Sequence, residues 1–235
     1  MLELMSLLDS RKIEQDLNIW LSALADPHQL LAPAFEPSQP QIVAAFEFLA
    51  KLLLVALLVY AIVTAFYGRG SISLKIKMLA HAFLGIVTFF VIAMVVHVPF
   101  ALLGGKASFA GTCLAYIYGA SVYTPFLAIC QWIQVAGMSP ALRPYGLNPA
   151  TASQAGQAAM EDPETDKFTF LLGSILALGL TVWILIVNFR ALGFVHDLSG
   201  WRFWLAVPLS ILAAAPVGMV IKRVIATMFE EPRAA

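Results

Sequence analysis

Charge is scarce in this chain. Its 235 residues hold 14 Lys plus Arg and 14 Asp plus Glu, 12% of the whole with a formal net charge of zero; a soluble domain carries roughly 25%. Without a basic excess there is no electrostatic footprint for nucleic acid. With 60% of the residues hydrophobic, a water-soluble fold of this size could not hide its apolar surface, and a bilayer is the natural solvent. Cysteine is scarce too: only Cys113 and Cys130. On one helix they would stand about 25 Å apart at 1.5 Å per residue, too far for a disulfide, and both read as packing residues. The opening MLELMSLLDSRKIEQDL has no basic start followed by an apolar core, so it does not read as a cleavable signal peptide. There is no HExxH, GxSxG, P-loop or CxxC, and spacing picks out no nucleophile–base pair. These absences point away from an enzyme and leave no catalytic, cofactor or metal site to name. Asp162, Glu164 and Asp166 alternate as calcium ligands do, but the Gly turn and terminal Glu of a calcium loop are missing. The loop that holds them, Gly137 to Lys167, reads as polar, solvated and mobile.

What the chain has is length in its apolar runs. Five are long enough to span: Val43–Tyr67, Met78–Leu103, Phe109–Val135, Phe168–Val187 and Phe203–Ile221. They are continuous rather than alternating, which favours helices over strands. Ahead of them, Ile13, Leu17, Trp20, Leu21 and Leu24 fall on one helical face, with charged and amide residues on the other. This predicts a helix lying at the membrane surface with Trp20 at head-group level; packing on the protein's own loops is the alternative. Asp26-Pro27 reads as a helix start, and Pro33, Pro37 and Pro40 should keep the linker extended. The expected fold is all-α: a polytopic membrane bundle of five transmembrane helices with an N-terminal amphipathic interfacial helix. Residues 1–40 form the interfacial segment and linker, and residues 41–235 the transmembrane domain.

Polar side chains inside the runs raise functional questions. Glu47 and Lys51 stand at i and i+4, the favourable order for a helical ion pair; a polar site between helices is the other reading. His81 and His97 lie about 160° apart around one helix, so they cannot share a metal. Interfacial hydrogen bonding and a proton relay both remain open for them. The third run is the most polar. Tyr116, Ser121 and Tyr123 can bond across helices, Gly111, Ala115, Gly119 and Ala120 permit close approach, and Pro125 should kink the helix. This run should be the centre of the bundle. The stretch FRALGFVHDLSGWRFWLAVPL reads as the hairpin between the last two runs. Asn188 and Arg190 would end one helix and Arg202 begin the next, with His196, Asp197, Ser199 and Gly200 turning in water and Trp201 and Trp204 at the interface.

That hairpin resembles the fourth-to-fifth span junction of the Yip family, the Ypt/Rab-interacting membrane proteins, in its bacterial form. The matching residues are Val195, His196, Leu198, Ser199, Arg202, Ala206, Val207 and Pro208. LLGGKASFAGTCLAY, through Gly104, Gly105 and Lys106, is similar to the family's turn before its third span, and YGASVYTP to the element that follows. The resemblance covers roughly residues 41–225. It implies a five-helix bundle, a multi-pass protein of the bacterial inner membrane, an N-terminus in the cytoplasm and a C-terminus outside. Eukaryotic relatives are trafficking adaptors that bind small GTPases; nothing in this N-terminal segment resembles a GTPase-binding extension. The positive-inside tally leans the other way. Arg11, Lys12, Lys106, Arg190 and Arg202 fall on the N-terminal side, against Arg69, Lys75, Lys77, Arg143, Lys167, Lys222, Arg223 and Arg233 on the other. Two functions follow as expectations: a non-enzymatic organiser that binds membrane lipids, other membrane proteins or its own copies, and, as the alternative, a small-solute or ion permease.

Overall fold

The structure, a computed structural model, describes residues 10–31, 36–67, 88, 90–147 and 151–229. Among them all regular structure is helical. In chain order the helices are α1 Ser10–Ala25, α2 His28–Leu31, α3 Gln39–Tyr67, α4 Phe90–Leu102, α5 Phe109–Gly119, α6 Thr124–Gly137, α7 Arg143–Leu147, α8 Ala152–Glu161, α9 Lys167–Val195 and α10 Gly200–Phe229. A 3₁₀ turn, Ser121–Tyr123, joins α5 to α6. Four stretches are long and apolar enough to cross a bilayer: Gln39–Val63, Phe109–Gly137, Lys167–Val195 and Gly200–Ile221. These mark a membrane protein. The run expected as the second span is described only from α4 onward, and its remainder, His81 included, lies outside the described residues.

The apolar side chains are arranged as a bilayer requires. Large residues point outward along the spans, with Leu54 62%, Ile175 65% and Leu178 67% exposed. The stretch α5–α6 is the centre: 61% of its apolar window is buried, against 11% in α9 and in α10. Close approach at glycines seats α9 against it. A Cβ on Gly173 would stand 2.7 Å from the Cα of Gln134, and one on Gly119 3.2 Å from the Cβ of Ala191, the small-residue packing expected where no hydrophobic drive operates between helices.

Helix ends differ from the sequence reading in three places. The first span begins at Gln39 because Ser38 and Gln41 form a cap: the Ser38 amide and hydroxyl both donate to the Gln41 Oε1, at 2.8 and 3.0 Å. Pro40 therefore sits in a first helical turn, where its missing N–H costs nothing, rather than extending the linker. The fourth span does not stop at Val187. It runs to Val195 because Asn188, Ala191, Leu192 and Val195 continue its buried face. The Gly137–Lys167 connection is folded rather than a mobile loop. It contains α7 and α8, whose Leu147, Ala155 and Ala159 pack with Val63, Val135 and Phe170. Its acidic residues act as caps. Asp166 accepts from Phe168 N and Thr169 N at 3.2 and 3.3 Å and opens α9; Asp162 accepts from Ser139 Oγ at 2.6 Å. The Thr169 hydroxyl, donating to Asp166 Oδ2 at 2.7 Å, leads the bonds that hold Asp166 below the usual carboxylate range, and the Ser139 hydroxyl does the same for Asp162.

From Leu17 to Leu24 the helix α1 turns a different stripe inward from the one its spacing suggested. Trp20 and Leu24 do face the bundle, joined by Ile19 and buried Ala23, while Leu17 and Leu21 stay exposed. Trp20 is not free at head-group level: its ring stacks on Phe126 at 5.4 Å and its indole N–H donates to Val122 O at 2.9 Å. Asp26 opens α2, accepting from the His28 amide at 3.1 Å and pairing with its Nδ1 at 2.8 Å.

Candidate functional site

Two turns far apart in sequence meet at one end of the bundle. The first closes α4. Gly105 N donates to Phe100 O at 2.9 Å and Gly104 N to Ala101 O at 3.0 Å, with Gly104 at φ +94°. This is the paired 6→1 and 5→2 pattern of a helix ended by a left-handed residue. The second closes α9 the same way. Leu198 N donates to Gly193 O at 2.9 Å and Asp197 N to Phe194 O at 3.1 Å, and Asp197 takes the left-handed position at φ +52°, which Asp tolerates better than most residues. The two caps are then fastened together. Lys106 N donates to His196 O at 3.0 Å, and the Lys106 ammonium meets the Asp197 carboxylate at 2.5 Å. The two motifs that carry the family resemblance, Gly104-Gly105-Lys106 and Val195-His196-x-Leu198-Ser199, are thus one structural unit.

Beneath this unit lies a chain of polar groups. His97 of α4 places Nδ1 2.8 Å from Thr112 Oγ1, and the same hydroxyl is 2.9 Å from His196 Nε2. His196 is fully buried, against Phe100 at 5.2 Å and His97 at 5.4 Å between ring centroids. Its Nδ1 has no partner, and that atom faces Gly105, where a Cβ would collide with it. Burial, with the His97 ring adding repulsion, pushes the His196 pKa down to about 4. The expectation that His196 turns in water is therefore wrong. Leu198 is buried beside it, while Asp197, Ser199, Gly200 and Arg202 are the exposed part of the turn and Trp201 and Trp204 point outward. Arg190 also does not end the helix but lies within it.

A hydroxyl set between two imidazoles has one proton to donate and two lone pairs to accept with. One ring nitrogen can accept from Thr112 while the other donates to it, and exchanging those roles moves a proton's position along the chain without moving heavy atoms. Thr112 Oγ1 also lies 3.3 Å from Ser108 O. Among the described residues no group of three His, Cys, Asp or Glu stands together to hold a metal.

The other predicted polar residues are dispersed. Lys51 does not pair with Glu47. Its Nζ reaches Asp16 Oδ2 of α1 at 2.6 Å, while Glu47 is exposed. The i, i+4 rule ranks partners on an isolated helix, and here α1 offers a nearer carboxylate. Tyr116 is hydrogen-bonded to the side chain of buried Asn188. Tyr123 Oη accepts from Trp183 Nε1 at 3.1 Å. Ser121 is buried in the 3₁₀ turn, where its carbonyl takes the Thr124 amide. Pro125 stands at the start of α6 instead of kinking a continuous helix. The break it imposes is served by Trp20, which reaches the Val122 carbonyl in that turn. Thr112 and Trp183 had no place in the sequence reading, Asn188 was read as a helix end and Asp16 as part of a polar face, because each takes a partner at least 35 residues away. A separate cleft of about 250 Å³ lies between the Asp26–His28 corner and α9, with Tyr123, Trp183 and Arg190 in its walls.

Comparison of the chain with protein families, curated proteins and solved structures finds no match.

Proposed function

We propose that this protein is a non-enzymatic organiser of its membrane, a five-span bundle of Yip type that binds other membrane proteins or lipids. One observation carries the reading: among the described residues, polar side chains of the central α5–α6 stretch bond to groups on the elements packed around it. Thr112 is held between two histidines, Tyr116 by Asn188, Tyr123 by Trp183, and Gln134 by Ser174 at 3.2 Å. A bundle whose polar groups turn to each other and whose apolar faces are exposed is a surface for partners.

Five crossings are supported by where the turns stand. The C-terminal part of α3 packs at the α7–α8 end, through Val63 with Val135 and Leu147. Lys106 stands at the opposite end, bonded to Asp197. The apolar helix α4 ends at this second face, as the second of five spans would. The N-terminal segment joins the same end as Lys106, through His28 against Phe194 at 4.9 Å, as an N-terminus sharing a face with the second-to-third and fourth-to-fifth turns requires.

The test is affinity capture of the full chain from native membranes in mild detergent, with reconstitution into liposomes alongside. A stoichiometric companion and no solute flux fit the organiser. A permease reading is favoured by the His97–Thr112–His196 chain, which could pass a proton. Flux through liposomes that Thr112→Val or Tyr116→Phe abolishes would put the permease first. Tags at both ends, probed in intact vesicles, should lie on opposite faces; finding both on one face would end the five-span reading.

A further inference from the structure

The cleft beside α9 has the features of a lipid head-group site, and this inference deepens the organiser reading, on which it rests. The helix α9 has 29 residues and is about 43 Å long at 1.5 Å per residue. Set upright and centred on a hydrocarbon core of about 30 Å, it overhangs by roughly 6–7 Å at each end. Arg190 is five residues before the end at Val195, or about 7–8 Å along the axis. It falls where hydrocarbon gives way to phosphate. Arg190 is exposed, and none of the ion pairs among the described residues uses it. An arginine at this depth wants an anion, and a phosphodiester matches its fork.

The opposite wall carries the other sign. Asp26 lines the same cleft. Hydrogen bonds from His28 hold its carboxyl below the usual range, so it is an anion at neutral pH. Those bonds use Oδ1, while a carboxylate has about four acceptor positions. A cation and an anion facing one small cleft at the edge of the bilayer match a ligand with both charges. A head group bearing only negative charge would meet repulsion from Asp26, and a choline head has no N–H to give it. The walls are held in place: Trp183 is tied to Tyr123 and His28 lies against Phe194. At about 250 Å³ the cleft is below the roughly 300–1,000 Å³ typical of drug-sized ligands, which leaves room for a head group and none for tails. Ile186 in its wall and Val182 one turn further along α9 are each 49% exposed, an apolar track on which acyl chains can lie. We propose that this cleft takes one zwitterionic aminophospholipid of the phosphatidylethanolamine type, its phosphate on Arg190, its ammonium on Asp26 and its chains along α9.

The experiment is native mass spectrometry of the full chain in mild detergent, titrated with phosphatidylethanolamine, phosphatidylglycerol and phosphatidylcholine of matched chains. Wild type should retain the ethanolamine lipid over the other two by about fivefold or more, and Arg190→Gln should weaken that binding by about tenfold, the loss of one charge-assisted hydrogen bond. Arg190→Lys, which keeps the charge, should keep part of it and shows that the Gln variant fails for charge and not for folding. Asp26→Asn should erase the preference between ethanolamine and glycerol lipids. Equal retention of all three lipids by wild type, or unchanged binding in Arg190→Gln, overturns the proposal. So does displacement by free O-phosphoethanolamine at lipid-equivalent concentration, which would make the ligand a soluble phosphoamine. A companion protein captured without any lipid preference sinks this inference alone; a lipid preference without a companion sinks the protein-organising half of the reading and leaves the site.

Discussion

Replacing Thr112 by Val tests whether the polar chain under the two turns holds the bundle together. The two side chains have the same shape and both are β-branched, so the change removes a hydroxyl and leaves no cavity. Its bonds to His97 Nδ1 at 2.8 Å and His196 Nε2 at 2.9 Å go with it, as does the longer one it donates to Ser108 O at 3.3 Å. The costs are unequal. His97 is half-buried and can recover part of its bond from solvent. His196 is fully buried and its Nδ1 is already without a partner, so the variant strands the whole ring. A buried polar group left unsatisfied costs about 1–3 kcal/mol, and with a partial contribution from His97 the total should be about 2–3 kcal/mol. At roughly 2–4 °C per kcal/mol for a chain of this length, Tm in mild detergent, followed by tryptophan fluorescence, should fall by roughly 4–12 °C. Thr112→Ser keeps the hydroxyl and loses a methyl, so it should cost only about 1 kcal/mol. Removing both ends of a buried bond costs less than removing one. The double variant Thr112→Val with His196→Leu should therefore lose less than the sum of the two single losses. A Thr112→Val protein within about 0.5 kcal/mol of wild type, or a serine variant as damaged as the valine one, would refute the reasoning.

Gly105 should be the less replaceable of the two turn glycines although only Gly104 has a positive φ. Gly104→Ala costs about 1–2 kcal/mol of left-handed strain, whereas a Cβ on Gly105 meets Phe100 O at 2.7 Å as well as the His196 ring and should cost more, read as the larger drop in Tm or in folded yield. The Asp16–Lys51 pair should show in a double-mutant cycle as about 0.2–1 kcal/mol of coupling, while Glu47→Gln and Lys51→Met should show none; coupling at Glu47 would restore the intrahelical pair. Stability should also depend on pH through His196. Unfolded, the ring takes a proton near 6.5, and folded only near 4. Between those values the unfolded chain binds more protons, so Tm should rise with pH from about 4 to 6.5 and level off above. His196→Gln should flatten that rise, and an equal slope in the variant would rule out His196 as its source.

What could be read in the sequence was whatever depends on one helix at a time. Continuous apolar length names a membrane helix without help from any neighbour, and it placed α3, α5–α6, α9 and α10 within a few residues at most ends. The error at Asn188 shows the limit. Asn and Arg in an apolar run look like a helix end, yet Asn188 is buried against α5 and only 4% exposed. Tyr116 bonds its amide group while its Oδ1 stays without a partner, so a polar residue ends a span or enters the bundle according to what another helix presents at that height, and no spacing within its own helix carries that information. The same holds for Lys51, whose partner lies on α1, and for His196, whose burial depends on Gly105 lacking a side chain. Here the short motifs did better than the long-range pairings. Gly-Gly-Lys and His-Asp-Leu-Ser each encode a helix end closed by a left-handed residue, which is local chemistry. Their adjacency follows once both ends stand at the same face of the bundle, because each closed cap leaves a carbonyl or an amide to offer the other. The Lys106 amide on the His196 carbonyl is that bond. It makes the two motifs one unit: a substitution in the first turn should be felt at the imidazole in the second before it is felt anywhere else in the protein.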